Sequence, residues 1–488
     1  MQNEVLGGVR SYRETWENRV MKTCIVCCVL FLFLSFEGHA AESTHVNTAP
    51  RFIDVPVSND HLSKADKSTI ERERRADPSI EWVIPVKIDP RALDYDHFDA
   101  FLYDRHVVIR KSADQGTESQ FGEVWRGEVW LPGDPPGWGD HEGLRAVQII
   151  RSEGGRIYGS IRIGELFYSL NYLSSGSHVL TKQDLSKLND SPHDVMYPDK
   201  PIKMIPEPEP DAGIDGSPPS SLPPITPPTF PPERIHIIRV AIAFTPSAER
   251  GNQEALLLLI QDALVTANQS FLPSDVTLQL QVAAYARPSY TERTMMQMLS
   301  DLQRGQSGPL WLAHVARHEQ YADVLALVVS GNSTDVCGLA PQVGSTRETA
   351  LLVVRRDCLG SHALTHEIGH LLGANHNPED IDIASPYPYG HGYRRATQPG
   401  NPGFSTMMSV TNCPTGCPRQ NRWSNPHRTR PNGEPMGTVG VHHNARVLNQ
   451  TKAIVANFYP DPPRPQGGGS ASAVRLYTPG GSQVLTDP

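Results

Sequence analysis

The sequence predicts a protein of two folded units, in which a β-rich N-terminal unit precedes an α/β unit with a mainly parallel sheet. Three observations predict this fold class. Apolar and polar residues alternate before residue 200, residues 201–232 contain 12 prolines, and continuous apolar strands alternate with helical patterns after residue 235. A length of 488 residues with 38% apolar content is enough for two such units and a linker.

The N-terminus is typical of an exported protein. Met21 and Lys22 precede an apolar run of about 13 residues, and small residues flank a predicted cleavage site near Ala40. The run is shorter than the roughly 20 residues that cross a bilayer as a helix. We predict a signal peptide over residues 1–40, with Met21 as an alternative start and a membrane anchor as the alternative structure. The mature chain is then secreted, periplasmic or extracellular, with no membrane span.

The N-terminal unit, residues 41–200, is predicted to be a small, mostly antiparallel β domain. Its segments "HVVIR", "GEVWRGEVW" and "AVQIIRSEGGRIYGSIRIGELFYSL" alternate apolar and polar residues, and Gly154-Gly155 is placed for a two-residue hairpin turn. The proline-rich residues 201–234 that follow are predicted to be an extended spacer. A ligand for a proline-recognising domain is the alternative for this spacer.

The C-terminal unit, residues 235–459, is predicted to be the α/β unit. A helix with apolar residues on one side, near residues 256–267, lies between two of its strands. Continuous apolar strands indicate a sheet covered on both faces. The predicted strands are "IIRVAIAF", "VTLQLQVAAY", "VLALVV" and "ALLVV", with a second helix at "LWLAHVARHEQ". Residues 460–488 are predicted to be a disordered tail.

Charge and cysteine content narrow the possible partners and the possible disulfides of the chain. The net charge of -9 comes without a basic block, which argues against nucleic acid as a partner. Three of the seven cysteines lie in the signal peptide. The remaining four in an exported chain predict two disulfides, and of three pairings the neighbouring one is favoured, with four free thiols as the alternative. That pairing joins Cys337 to Cys358 and Cys413 to Cys417.

The motif "HEIGHLLGANH", residues 366–376, predicts a metal site. His366 and His370 are one helical turn apart, with Cβ atoms about 5 to 6 Å from each other, so both imidazoles can bind one ion. Ser361 is the predicted N-cap of this helix, which should end near Leu372. Gly373 can turn the chain, which brings His376 in as the third ligand and leaves the fourth position for water.

These residue types indicate hydrolytic chemistry at one catalytic zinc ion. Zinc held by imidazoles lowers the pKa of water to about 7 and polarises a carbonyl group. Glu367 is placed to act as general base and to pass the proton to a leaving amine. A surface helix with idle histidines is the alternative, although five fixed positions are hard to meet by chance. The sequence leaves the binding of calcium open.

The motif resembles the zinc signature of the metzincin metalloendopeptidases, and "STMMS" (405–409) resembles their methionine turn with Met408 in the usual place. "RWSNP" (422–426), "NARVLNQTKAIVANF" (444–458), "CGLA" and Cys358 are similar to the reprolysin-like, adamalysin-type branch, especially its exported bacterial members. The resemblance implies a metzincin-type catalytic domain with a twisted, mostly parallel sheet and an active-site helix. A tyrosine often found after the methionine turn is missing, and "CPTGC" is an insertion.

The same resemblance implies how a protein or peptide substrate binds. The substrate should lie extended along an edge strand between Gly338 and Thr349, using backbone hydrogen bonds. The segment Trp423, Ser424, Asn425 and Pro426 should form a wall of the pocket for the side chain that follows the scissile bond.

The predicted function is a secreted zinc endopeptidase made as a precursor. Its N-terminal unit would assist folding or act as an inhibitor, but it has no cysteine to bind the zinc. His193 and Asp194 could reach the metal instead, although a solvated loop is favoured. One rival hypothesis is a binding or adhesion module with little proteolytic activity, for which Glu367 would be unnecessary. Another is hydrolysis of a non-peptide substrate.

Overall fold

The computed structural model describes most of the chain from residue 49 to residue 485. The exceptions are residues 57, 113–121, 132–143, 153, 189–194, 196–233, 333–334, 381–384, 399–402, 411–416 and 463–473. The predicted signal peptide, almost all of the predicted spacer, His193, Asp194 and Cys413 therefore lie outside the described residues.

The N-terminal unit is a closed β-barrel. Its strands follow each other around the barrel in the order β1-β2-β9-β8-β7-β6-β5-β4-β3, and every neighbouring pair is antiparallel except β1 with β3. Apolar side chains such as Phe52, Phe98 and Trp125 fill the interior, as alternating strands require. The strands are β1 (Arg51–Pro56), β2 (Ile80–Ile88), β3 (His97–Phe101), β4 (His106–Lys111), β5 (Glu123–Trp130), β6 (Ala146–Arg151), β7 (Ile157–Ile163), β8 (Leu166–Tyr172) and β9 (His178–Asp184).

A helix and a hairpin loop accompany the barrel strands. Helix α1 (Lys64–Arg74) begins at Ser63, whose side chain accepts a hydrogen bond from Asp66 N. The hairpin between β6 and β7 is longer than the two-residue turn predicted at Gly154-Gly155. Ser152 Oγ accepts from Arg156 N at 3.1 Å, which stabilises the wider loop.

The C-terminal unit is built on a seven-stranded sheet with the order β13-β14-β12-β10-β11-β19-β20. The five central strands run parallel, and each edge strand is antiparallel to its neighbour. Strands such as β12 are buried along their whole length, because helices cover both faces. The strands are β10 (His236–Phe244), β11 (Leu278–Ala286), β12 (Val324–Val329), β13 (Gly338–Leu339), β14 (Leu351–Arg355), β19 (Arg475–Thr478) and β20 (Gly481–Val484).

The helices divide between the two faces of this sheet, as the sequence predicts. One core cluster includes Leu256, Ile368 and Leu448 from three helices on one face, and a second includes Leu299 and Ala313 from two helices on the other. The helices are α2 (Pro246–Glu249), α3 (Gln253–Phe271), α4 (Met295–Gln303), α5 (Trp311–Glu319), α6 (Ala363–Leu371) and α7 (Asn444–Val455). Two short hairpins lie beyond the sheet, β15 (Arg394–Arg395) with β16 (Phe404–Ser405), and β17 (Asn425–Thr429) with β18 (Pro435–Met436).

The prediction of a disordered tail over residues 460–488 is wrong for its described C-terminal part. Strand β19 pairs in parallel with β11, and β20 folds back on it as a hairpin. Leu476 and Tyr477 are buried in the two cores, and the Tyr477 hydroxyl bonds to Glu319 at 2.9 Å. The signal for this hairpin is the Pro-Gly-Gly turn between two short segments with β-branched and aromatic residues.

Helix α3 with the turn to Ser274 is long and apolar enough to cross a membrane by length and composition. However, 67% of its apolar window is buried inside the fold, where it packs between the sheet and helix α6. It is a core helix of this protein.

The barrel packs on the α/β unit through an apolar patch and a group of buried charges. Barrel residues Ile150, Tyr158 and Phe167 belong to the same core cluster as α3 and α6. Beside them, Arg250 lies 3.3 Å from Glu73 and 2.5 Å from Asp357, Arg356 lies 3.5 Å from Glu73, and Arg355 pairs with Asp77. We refer to Glu73, Asp77, Arg250, Arg355, Arg356 and Asp357 as the interface cluster.

Candidate active site

Helix α6 carries the metal motif, and its start differs from the prediction. A 3-10 segment (Arg356–Ser361) leads into His362, which has a left-handed φ of 70°, and the helix begins at Ala363. Ser361 is therefore not the N-cap, and its hydroxyl donates to Cys358 O at 2.8 Å instead. Cys358 forms the predicted disulfide with Cys337, which ties this start to the segment that enters β13.

The three histidines of the motif converge on one point. His366 Nε2 and His370 Nε2 each lie 3.0 Å from His376 Nε2, and all three side chains are buried. Ligand nitrogens at about 2.0 to 2.1 Å around a tetrahedral ion stand roughly 3.3 Å apart, so this spacing suits a single metal ion. The three residues could hold such an ion.

Backbone carbonyl groups orient two of these rings. His366 Nδ1 lies 2.9 Å from Met407 O, and His370 Nδ1 lies 3.0 Å from Ala374 O. A carbonyl oxygen only accepts, so each Nδ1 carries the proton and donates it. The Nε2 lone pairs are then left facing the common point, which is the arrangement that metal-binding histidines require.

Gly373 positions the third ligand, and the methionine turn supports the site from below. Gly373 has a φ of 97°, as predicted for the sharp turn that admits His376. Met407 and Met408 are fully buried, and the Met408 sulfur would lie 2.5 Å from a Cβ placed on Gly369. The methionine turn thus packs directly beneath helix α6.

Glu367 lies next to the edge strand of the sheet. Its side chain is buried, and a Cβ placed on Gly338 of β13 would come within 2.3 Å of Glu367 Oε1. Only a glycine lets the edge strand approach the carboxylate so closely. The site therefore combines three converging nitrogens with a carboxylate that follows the first ligand on the same helix and lies against the edge of the sheet.

Comparison with known proteins agrees with this arrangement. Residues 234–424 match the reprolysin model described as metallo-peptidase family M12. The peptidyl-Asp metalloendopeptidase of Stenotrophomonas maltophilia (strain K279a) is 34% identical over 420 residues, which cover 84% of this chain and 94% of the relative. The enzyme of the same name from Xanthomonas campestris pv. campestris is 36% identical over 319 residues, which cover 64% of this chain and 70% of the relative.

The chain belongs to metallopeptidase family M12. It is a reprolysin-like metalloendopeptidase whose similarity to full-length relatives extends through the barrel as well as the catalytic unit. The resemblance inferred from the zinc motif and the methionine turn is thereby confirmed. Membership implies a metal at the histidine triad and protein or peptide substrates.

Three of the four predicted pocket residues of this metalloendopeptidase lie in the core. Trp423 is buried, stacks on Phe271 at 5.8 Å and donates from Nε1 to Ser270 at 2.8 Å. Ser424 donates to His391 O at 2.7 Å, and Asn425 donates to Ser274 O at 3.0 Å. These contacts fix the segment behind helix α6. The role of Trp423, Ser424 and Asn425 as a wall of the substrate pocket stays a prediction. The same holds for Pro426, which follows in β17.

A residue from the segment that follows the barrel pairs with the chain next to the edge strand of this metalloendopeptidase. Val195 is buried and forms a parallel β-bridge with Ala340, which directly follows β13. Residues 189–194, including His193 and Asp194, lie outside the described residues. Cys417 is buried and takes part in a disulfide, while Cys413, its predicted partner, is not among the described residues.

Two polar residues near the site were missed by the sequence analysis. His362 is buried, and burial, followed by the charges of Arg162 and Arg419, lowers the pKa of its imidazole well below the usual range. Arg419 is also buried and donates to Ser409 O at 2.7 Å. No local sequence pattern predicts that His362 and Arg419 lie close together, because the two residues are far apart in the sequence.

Proposed function

We propose that this chain is the precursor of an exported zinc endopeptidase that cleaves peptidyl-Asp bonds and that its N-terminal barrel keeps it inactive. The observation that carries the catalytic part is the convergence of three buried Nε2 atoms beside Glu367, at the edge strand that starts with Gly338. The bond specificity is taken from the name of relatives that match this chain at 34 to 36% identity.

The donor set favours zinc as the metal. Three neutral imidazoles in a compact group suit a tetrahedral ion with one open position, and no carboxylate from the part of the chain that the structure describes belongs to the set. A bound zinc ion supplies Lewis acidity at the reacting carbonyl group and acidifies water. His366, His370 and His376 would hold it, and Met407 O and Ala374 O keep two of the rings in the required tautomer.

Glu367 acts as the general base in this proposal. Its carboxylate follows the first ligand directly on helix α6 and lies against the edge strand, where an extended substrate would lie. It accepts a proton from the attacking water and delivers that proton to the nitrogen of the leaving amine. Exclusion of bulk water from this buried group strengthens both transfers, because charges interact more strongly where the dielectric constant is low.

In this proposal the segment that follows the barrel keeps the enzyme inactive by pairing with the chain next to the edge strand. Val195 follows the last barrel strand by eleven residues and bridges to Ala340, so the backbone groups that would bind a substrate are already paired there. Cleavage in the proline-rich spacer, residues 201–234, would detach the barrel from the catalytic unit. The predicted signal peptide over residues 1–40 accounts for export to a secreted, periplasmic or extracellular location.

The deciding experiment is Glu367→Ala in the enzyme produced from the full chain. We expect the variant to keep one zinc ion per chain by emission spectroscopy and to lose hydrolysis by roughly 10²- to 10⁴-fold, since the general base is gone. Mass spectrometry of wild-type digests should show new N-termini that begin with aspartate.

Glu319→Ala is the matched control for this experiment. Glu319 is exposed on α5, on the opposite face of the sheet from α6, so its loss should leave the rate unchanged. A Glu367→Ala enzyme of wild-type rate would overturn the assignment of the base. Digests without an excess of aspartate at the new N-termini would overturn the bond specificity.

A further inference from the structure

The third metal ligand is the member of the triad that helix α6 does not hold. His366 and His370 lie on the helix, whereas His376 follows the turn at Gly373, where φ is 97°. Hydrogen bonds within the helix fix the first two ligands relative to each other, but they do not reach the third. The direction of the His376 side chain therefore depends on contacts that its own main chain makes with other segments.

The chain just before His376 is anchored to a neighbouring segment. Asn375 N donates to Gly390 O at 2.8 Å, and Gly392 N donates to Asn375 O at 2.9 Å. The two segments form a parallel β-bridge between Asn375 and His391. These bonds fix the peptide unit before the Cα of His376, and they leave the peptide unit after it to be held by another group.

The imidazole of His391 holds the peptide unit after His376. His391 Nδ1 lies 2.7 Å from His376 O. A carbonyl oxygen only accepts, so Nδ1 carries the proton and donates it. Both residues are buried, so water does not compete with this bond. Because peptide units are planar, fixing the units on both sides of the His376 Cα fixes the direction of its side chain.

His391 is itself held in place by its main chain. Its carbonyl oxygen accepts from Ser424 Oγ at 2.7 Å, and its N–H donates to Val441 O at 3.3 Å. Gly392, the next residue, lies against the methionine turn, since a Cβ placed on it would be 2.6 Å from Ser409 N. The imidazole therefore extends from a well-supported segment that connects the third ligand to the methionine turn.

We propose that His391 is a positioning residue that keeps the third nitrogen of the triad at the common point. This inference rests on the proposed zinc site and names the residue that orients its third ligand. In this role His391 acts through the main chain of His376 and does not bind the metal. Groups outside the ligand set that orient a metal-binding histidine typically contribute about 10- to 100-fold to metal affinity.

The test is the zinc affinity of the full chain, measured by competition with a chromophoric chelator. Every protein carries Glu367→Ala, so that no chain is processed during the measurement. His391→Leu removes the N–H donor with a side chain of similar size, and it should weaken zinc binding by roughly 10- to 100-fold. His391→Asn carries an N–H that can reach the same oxygen, so its zinc affinity should lie within about fivefold of the parent chain.

His314→Leu is the matched control. His314 Nε2 lies 2.7 Å from Leu302 O, so this variant loses the same kind of bond, from an imidazole to a carbonyl oxygen, on the opposite face of the sheet from α6. Both leucine variants should lower the urea midpoint of the metal-free chain, because each leaves a carbonyl oxygen without its donor. Only His391→Leu should weaken zinc binding.

Zinc affinity separates the outcomes. Unchanged affinity in His391→Leu would overturn the inference, as would a loss in His314→Leu or in His391→Asn as large as that in His391→Leu. If His391→Leu does not fold, His391→Phe, which keeps a flat ring without an N–H, takes its place with the same expected loss. If the parent chain binds no zinc, the proposed zinc site itself fails. If all variants bind zinc equally, that site stands and only the role of His391 fails.

Discussion

The histidine triad and the interface cluster are both buried polar groups, but the sequence encodes them in opposite ways. The triad comes from eleven consecutive residues of one helix and its following turn. The interface cluster joins residues separated by 278 positions in Arg355–Asp77 and by 283 in Arg356–Glu73. The triad serves chemistry at one point, whereas the cluster fastens the barrel to the catalytic unit. Substitutions in the triad should therefore affect metal binding and activity, whereas substitutions in the interface cluster should affect stability.

Removing a metal ligand should have the largest effect, and it should fall on metal binding and activity. His376→Ala leaves two nitrogens on α6, which are too few to complete a catalytic zinc site. We expect kcat/KM to fall by at least about a thousandfold, together with loss of bound metal. Metal content by emission spectroscopy and hydrolysis of an aspartate peptide measure both.

His318→Ala is the control for the ligand variant. His318 is exposed on α5, and its ring contacts Tyr459 at 5.9 Å, away from the triad. This variant should keep the metal and the activity. Full metal content in His376→Ala would contradict the assignment of the third ligand.

Local spacing explains which parts of the site were predictable. His366, Glu367, His370, Gly373 and His376 follow from helical geometry and from the turn that a glycine allows. The structure brings the three histidines together and places Gly373 at the turn, with a positive φ. The strands and helices of the catalytic unit follow likewise from their apolar periodicity.

Contacts over long sequence distances explain what was not predictable. Gly338 lies against Glu367, Val195 bridges to Ala340, and Arg419 reaches Ser361 only because the fold brings distant segments together. The capping role predicted for Ser361 failed for a related reason. The disulfide at Cys358 and the 3-10 segment before the helix set the start of α6, and intrinsic capping preference does not. Closure of the barrel likewise depends on the pairing of β1 with β3, which no local pattern encodes.

Breaking the interface cluster should affect stability. Asp77 and Arg355 pair with side chains 2% and 1% exposed, so Asp77→Ala leaves a buried guanidinium group without its carboxylate. We expect the precursor to lose about 3 to 5 kcal/mol of unfolding free energy, measured by urea unfolding in the Glu367→Ala background to prevent processing. Metal content of the folded precursor should remain unchanged.

Two further variants test whether the loss of stability in Asp77→Ala comes from the burial of the Asp77–Arg355 pair. Arg75→Ala removes an exposed partner of Glu71 on the same segment, and it should cost no more than about 1 kcal/mol. Asp77→Leu combined with Arg355→Met removes both charges and should cost less than Asp77→Ala alone. A loss in Asp77→Ala as small as that in Arg75→Ala would mean that the cluster does not fasten the barrel.

The smallest predicted effect on stability concerns Asp262. This buried carboxyl group belongs neither to the histidine triad nor to the interface cluster. Its Oδ1 accepts from Gln148 Nε2 and from Ser160 Oγ, both at 2.7 Å, and both donors belong to the barrel. Burial raises the pKa of this carboxyl to about 6, while the hydrogen bond from Ser160 and the charge of Arg162 act in the opposite direction.

A raised pKa in the folded state fixes the sign of the pH dependence. The protonated form is favoured on folding, so the contribution of Asp262 is most favourable below its usual pKa of 3.8 and is lost as the pH rises through about 6. Asp262→Asn keeps the accepting oxygen and removes the charge. It should therefore be more stable than wild type at pH 7.5 by about 1 to 3 kcal/mol, and the difference should shrink as the pH falls from 6 toward 4.

Urea unfolding of both proteins at pH 4.5, 6 and 7.5 measures this difference, and Asp94→Asn, with a side chain 63% exposed, should match wild type at every pH. If Asp262→Asn is instead less stable than wild type at pH 7.5, the carboxylate is ionised at the interface and stabilised there by Arg162. Asp262 would then join the interface cluster as a paired charge. If the predicted sign is found, the barrel docks more tightly as the pH falls, because the group that opposes docking at neutral pH becomes protonated.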